Sequence, residues 1–176
     1  MSNYDVAPTE GLHPELGLLF ATLEDGAREW QGELETVSDE AVVWQPFPNG
    51  PSIGGIILHM ASCSLYWLSE FALGEAVDKN RPEVAYDLSM DQYAPAWPAP
   101  PAKPMSWYLE LLAENRQETR ALLARHGDPT RSHVRKEETM TFRWIVGHLV
   151  QHDCYHGGQI VLLNEMWKQL HGQRPE

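Results

Sequence analysis

The longest helical pattern in the chain, from about Phe142 to Leu170, is crossed by two histidines where apolar side chains belong. Its predicted core stripe runs through Ile145, Leu149, His152, His156, Ile160, Leu163 and Trp167, at the three- and four-residue steps of one helix face. Buried imidazoles without partners are costly, so whatever packs against this face has to satisfy both. One helical turn apart, they leave the same side of the helix, rotated by about 40° and separated by roughly 6 Å of rise. That geometry suits one metal ion.

A third imidazole from another helix would complete a three-nitrogen site with an open position, the arrangement that keeps a metal chemically active. His59, in Ile56-Ile-Leu-His-Met60, is the best candidate. A lone histidine is usually a core or groove residue bonded to backbone or water; a pair at this spacing with a third on a second buried face favours a metal. His148 lies one turn before His152, but the faces drift by about 40° per step, so at most two of the three aim easily at one ion. Cys63 follows His59 by one turn and is either a soft fourth ligand or a small buried hydrophobe. Cys154 points away from the pair. Gly157-Gly158 costs about 1 kcal/mol per residue against alanine inside a helix, which a close neighbour or substrate would justify. Gln159 is placed to orient a ligand or substrate, or to bond within the bundle. There is no glycine-rich phosphate loop, nucleophile elbow or paired-cysteine zinc pattern, and spacing identifies no catalytic carboxylate.

Three further segments carry helical periodicity. The first runs from about His13 to Leu34, with Leu16, Leu19, Phe20, Leu23, Ala27 and Trp30 on one face and Pro14 suited to the first turn. A polar break at Thr36–Glu40 leads into a short piece ended by the prolines of 44–51. Ser52 is a cap for a second helix, about Ile53 to Leu73, with Ile56, His59, Met60, Cys63, Tyr66, Trp67 and Phe71 toward one side and Gly74 as its stop. The third, about Ser106 to Arg125, aligns Trp107, Leu111, Leu112, Asn115, Thr119, Leu122 and Leu123 along a seam. Between the second and third, 75–104 shows no sustained periodicity and ends proline-rich. A connection that long is uncommon, often functional, and expected to pack over the bundle. The stretch 133–139 reads as a hairpin-like arm or a plain loop. Four helices with one long crossover predict an all-α four-helix bundle, a single domain over 1–176, which builds metal sites from facing helices.

The formal charge of −12 opposes a phosphate backbone, so nucleic acid is excluded as an expected partner. Two cysteines without disulfide spacing, no basic-plus-apolar leader and no apolar run near the ~18 residues of a membrane span imply a soluble cytoplasmic protein with no membrane partner.

The segments Trp44-Gln-Pro, Ser52-Ile-Gly-Gly-Ile-Ile-Leu-His-Met-Ala61 and Arg143-Trp-Ile-Val-Gly-His-Leu-Val-Gln-His-Asp-Cys-Tyr-His-Gly-Gly-Gln-Ile160 resemble the patterns S-I-x-x-I-x-x-H and H-x-x-x-H-x-x-x-H-x-x-Q of the DinB-like (YfiT-type) metalloenzyme superfamily. The resemblance spans most of the chain. It implies an up-down-down-up bundle with a divalent metal, zinc or nickel, on His59, His152 and His156, and a homodimer. It also implies thiol-dependent transferase or isomerase chemistry with a low-molecular-weight thiol such as bacillithiol or mycothiol. The association of the family name with DNA damage describes induction and implies no DNA binding. Gly157-Gly158 departs from the bulkier or basic residue of many members. The expected function is a metal-dependent enzyme that activates a small thiol for transfer to an electrophilic small-molecule substrate. The alternatives are a metal-dependent hydrolase and a non-catalytic metal- or ligand-binding stress protein.

Overall fold

A computed structural model describes residues 5–34, 37–90 and 96–172 of the chain. Four long helices form its frame: α1 (Pro14–Gly32), α3 (Ile53–Leu65), α5 (Met105–His126) and α6 (Phe142–Leu170). A π-helix (Tyr66–Leu73) that continues α3, two short helices, α2 (Asp39–Val43) and α4 (Pro82–Leu88), and a hairpin, β1 (Ser132–Arg135) with β2 (Glu138–Thr141), complete it.

The ends of the helices follow local chemistry. Pro14 opens α1 with a fixed φ and no N–H to satisfy, and His13 Nδ1 accepts from the Glu15 amide. Ser52 Oγ accepts from Gly55 N at 3.1 Å to cap α3, and Thr141 Oγ1 accepts from Trp144 N at 3.3 Å to cap α6. The stop expected at Gly74 is made there, with φ 69°.

Side-chain contacts fix the sense of each helix. Glu15 pairs with Arg143 and Trp30 with Asp153, so α1 and α6 run the same way. His59 meets His152 and His156 while Trp67 meets His148 and Trp144, so α3 runs against α6. Tyr108 lies on Gly54 and Asn115 donates to the Ala61 carbonyl, so α5 runs with α3. The order is up, down, down, up, as expected. Two clusters build the core, one around Ile53, Ile56, Tyr108 and Ile160 and one around Leu16, Phe20, Leu123 and Ile145.

The structure corrects the sequence reading in several places. The second helix does not continue as α-helix to Leu73: Tyr66–Leu73 winds as a π-helix, closed by the Gly74 amide on the Ser69 carbonyl. Such segments are rare and frequent at functional sites. The whole stretch Ile53–Leu73 is, by length and composition, apolar enough to cross a membrane, contrary to the expectation that no run approaches that length. Two-thirds of its apolar window is buried inside the protein, because α3 is packed by α4, α5 and α6 together. On α5 the buried aromatic is Tyr108; Trp107 and Leu111 are half-exposed.

The crossover also holds more order than its lack of periodicity implied. Helix α4 packs on α3 and is pinned to α5 by Arg81, whose guanidinium bridges buried Glu83 at 2.7 Å and Glu118 at 2.9 Å. The Pro-rich tract lies over the bundle as expected: Tyr86 Oη donates to the Pro98 carbonyl at 2.9 Å, and Tyr108 Oη donates to that of Pro101. The hairpin expected as one of two options at 133–139 is formed, with Ser132 opposite Thr141, Arg135 opposite Glu138 and Lys136 at φ 56° in the turn.

Candidate metal centre

His59 on α3 and His152 and His156 on α6 converge as the sequence predicted. Their ring centroids lie 5.0 Å (59 to 152), 5.1 Å (59 to 156) and 4.4 Å (152 to 156) apart, and one nitrogen from each falls within 4.8 Å of the other two. His59 Nε2 and His152 Nε2 are 3.2 Å apart. Two nitrogens bound tetrahedrally at about 2.0–2.1 Å from one zinc stand about 3.3 Å from each other, so this spacing is that of imidazoles sharing an ion.

The proton positions favour the same reading. His59 Nδ1 lies 2.7 Å from Asp87 Oδ1, and an ionised carboxylate only accepts, so Nδ1 carries the proton and Nε2 turns its lone pair inward. His156 Nδ1 donates to Gln159 Oε1 at 2.7 Å, which leaves its Nε2 lone pair for the centre. Burial, reinforced by His156, His59, His148 and Arg116, pushes the His152 imidazole down to about 3. Burial and His59 push His156 down to about 4, with the Gln159 bond acting in the other direction. Both are neutral at physiological pH, so no proton competes for the lone pairs. The donor set fits a divalent ion that prefers imidazole, and these three residues could hold one.

Asp87 escaped sequence reasoning. It sits at the end of α4, inside the crossover, where no periodic signal marks it; Oδ1 accepts from His59 Nδ1 and Oδ2 accepts from Ser62 Oγ at 3.2 Å. The only available hint was Pro82, a helix-start residue in a stretch otherwise without pattern. Trp97, from the Pro-rich tract, stands edge-on to His59 with centroids 5.6 Å apart.

The remaining candidates separate cleanly. Cys63 is not among the converging donors and packs against the second core cluster; burial, and then Asp87, push its thiol up to about 12. His148 stacks on Trp144, the rings 5.3 Å apart and 1° from parallel, and stays outside the cluster. Cys154 is exposed, on the far side of α6, with its Sγ against Gly26. Asp153, also unforeseen, is buried on α6's other face, where it accepts from Trp30 Nε1 at 3.0 Å and pairs with Arg116 of α5. That pairing fixes the rotation of α6, and with it the aim of its two histidines.

At His59 the centre meets a cavity of about 610 Å³ walled by Tyr66 and Trp67 of the π-helix, by Met90 beyond α4, and by Arg135 of the hairpin. A larger cavity, about 920 Å³ between α1 and α5, contains none of the three histidines.

No curated protein matches the sequence. The family model of the DinB superfamily matches residues 22–160, a span that contains all three histidines, Asp87 and the hairpin, and the chain belongs to the DinB superfamily.

Proposed function

We propose that this protein is a metal-dependent enzyme in which His59, His152 and His156 hold one divalent ion, zinc or nickel, and a small thiol is activated for transfer to an electrophile in the adjoining cavity. The observation that carries this reading is the convergence of three imidazoles, two with the outer nitrogen already committed as donor. Bound there, the ion would lower the pKa of a coordinated thiol and make a nucleophile available at neutral pH. Asp87 holds the His59 ring in the ligating tautomer, and Ser62 holds Asp87. Gln159 does for His156 what Asp87 does for His59.

Two features favour an external thiol over the alternatives. Among the described residues the cavity's own thiol, Cys63, is not one of the converging donors, so a sulfur ligand at the centre would come from outside the chain. A hydrolase would need a general base, and both acidic groups lining the cavity are engaged: Asp87 by His59 and Ser62, Glu70 by Lys79. Among the described residues no fourth protein ligand joins the cluster, which favours chemistry over a closed structural site.

Two measurements test the reading. Elemental analysis should give one divalent ion per chain, lost in His152→Ala and in His156→Ala; unchanged content in both variants refutes the ligand set. The cobalt-substituted protein titrated with small thiols should develop a sulfur-to-metal charge-transfer band. A spectrum indifferent to every thiol returns the balance to the hydrolytic or binding-protein alternatives.

A further inference from the structure

The hairpin carries a cation, Arg135, to the cavity. His133 and Arg135 are two residues apart on β1 and therefore on the same face of the strand, while Val134 between them points to solvent. His133 is buried against Phe71 of the π-helix and Phe142 of α6, with centroid distances of 5.9 and 6.0 Å. This anchor sets Arg135, itself exposed, at the rim of the cavity, where its guanidinium lies 5.8 Å from the Tyr66 ring centroid and 5.5 Å from that of Trp67. Contact with two rings restrains the guanidinium while its N–H edge remains available to an acceptor. Among the described residues Arg135 has no hydrogen bond and no ion-pair partner, whereas the other charged groups lining the cavity are paired, Lys79 with Glu70 and Asp87 with His59. In a chain of net charge −12, the rim of this cavity carries a positive charge without an ion-pair partner among the described residues, in a lining that also includes His59 of the metal centre.

We infer that Arg135 is a specificity residue that takes a carboxylate of the ligand whose other end reaches the metal centre, so that the favoured thiol or acceptor is an anionic one. Planar, edge-on presentation of two parallel N–H groups is the geometry that binds a carboxylate in two places at once. The inference builds on the proposed thiol chemistry, and the experiment separates the two.

The cobalt-substituted protein is titrated with 3-mercaptopropionate and with its methyl ester, which match in thiol and length and differ in charge. Wild type should bind the acid about tenfold more tightly than the ester, as one charge-assisted contact provides. Arg135→Gln should bring the acid down to the ester and leave the ester unchanged, and Arg135→Lys should retain part of the preference. A preference for the acid that survives in Arg135→Gln would come from the metal itself and overturns the assignment, as does equal binding of the two by wild type. If neither compound produces a charge-transfer band, the thiol reading falls, and a second titration decides Arg135 alone. In that titration the metal-free protein receives 3-phenylpropionate or 3-phenylpropanol while the Arg135 Nε–H and Trp67 indole NMR signals are followed. Shifts with the acid only, absent in Arg135→Gln, support the carboxylate site; no shift with the acid refutes it.

Discussion

Gly157 and Gly158 are adjacent, both helical, and should respond oppositely to the same substitution. A Cβ built on Gly158 meets nothing within 4 Å, so Gly158→Ala gains the helix propensity of alanine, about 1 kcal/mol, without a steric cost. A Cβ on Gly157 falls 2.3 Å from Trp30 Cδ1 and 2.6 Å from Cγ, about 1.2 Å inside the ~3.5 Å at which carbons begin to touch. Trp30 is buried and has little room to retreat; its Nε1–H is bonded to the Asp153 carboxylate at 3.0 Å. Overpacking of this kind costs about 1–3 kcal/mol. Swinging the indole away forfeits a hydrogen bond to a charged acceptor, about 1.5–3 kcal/mol. Against the same propensity gain of about 1 kcal/mol, Gly157→Ala should lose about 1.5–5 kcal/mol net. Urea unfolding followed by tryptophan fluorescence measures both variants, and thermal melts should move by about 2–4 °C per kcal/mol for a chain of this size. Gly157→Ala as stable as Gly158→Ala would show that α1 and α6 are not in the contact described, and the reasoning fails with it.

Asp87→Asn should weaken metal binding about 10- to 100-fold in a chelator competition, because the partner that fixes the His59 tautomer loses its charge; an unchanged affinity would remove Asp87 from the centre. Cys63→Ser should keep full metal content by elemental analysis, since its sulfur is not among the converging donors, and loss of the ion would restore it as a ligand. The metal-free chain should lose stability on acidification. Folded His152 and His156 take up protons only near 3 and 4, the unfolded chain already near 6.5, so stability is complete above about 6.5 and declines as pH falls toward 3. Each histidine contributes up to about 1.4 kcal/mol per pH unit within its own window. Denaturant midpoints independent of pH between 6.5 and 4 would contradict the burial of these rings.

Much of the frame was legible because apolar periodicity reports which face of a helix is buried. The stripe Ile145, Leu149, His156, Ile160, Leu163 is buried as read, and Ser52, Gly74 and Pro14 mark helix ends where their backbone chemistry requires. Periodicity does not report what lies opposite. Asp87 reaches His59 across 28 residues of sequence, and Arg116 reaches Asp153 across 37, each from an element whose own pattern says nothing of the partner. Asp153 also falls on a second buried face of α6, which exists only because α1 packs there while α3 covers the first. The π-helix was hidden for a different reason: over eight residues its apolar spacing is too close to that of an α-helix for the sequence to separate them.

The placement of α3 at the centre has a consequence for synthesis. Its apolar surface is covered partly by α6, and the histidines that meet from the two helices, His59 and His152, are separated by 93 residues. A nascent chain that has released α3 but not yet α6 therefore carries an unusually greasy helix with one side uncovered, for several seconds at about 5–20 residues per second. Only when residues 152–156 leave the ribosome can three imidazoles meet. Contacts this distant in sequence slow folding, and they make the interval before α6 docks the period in which the protein most needs protection from aggregation.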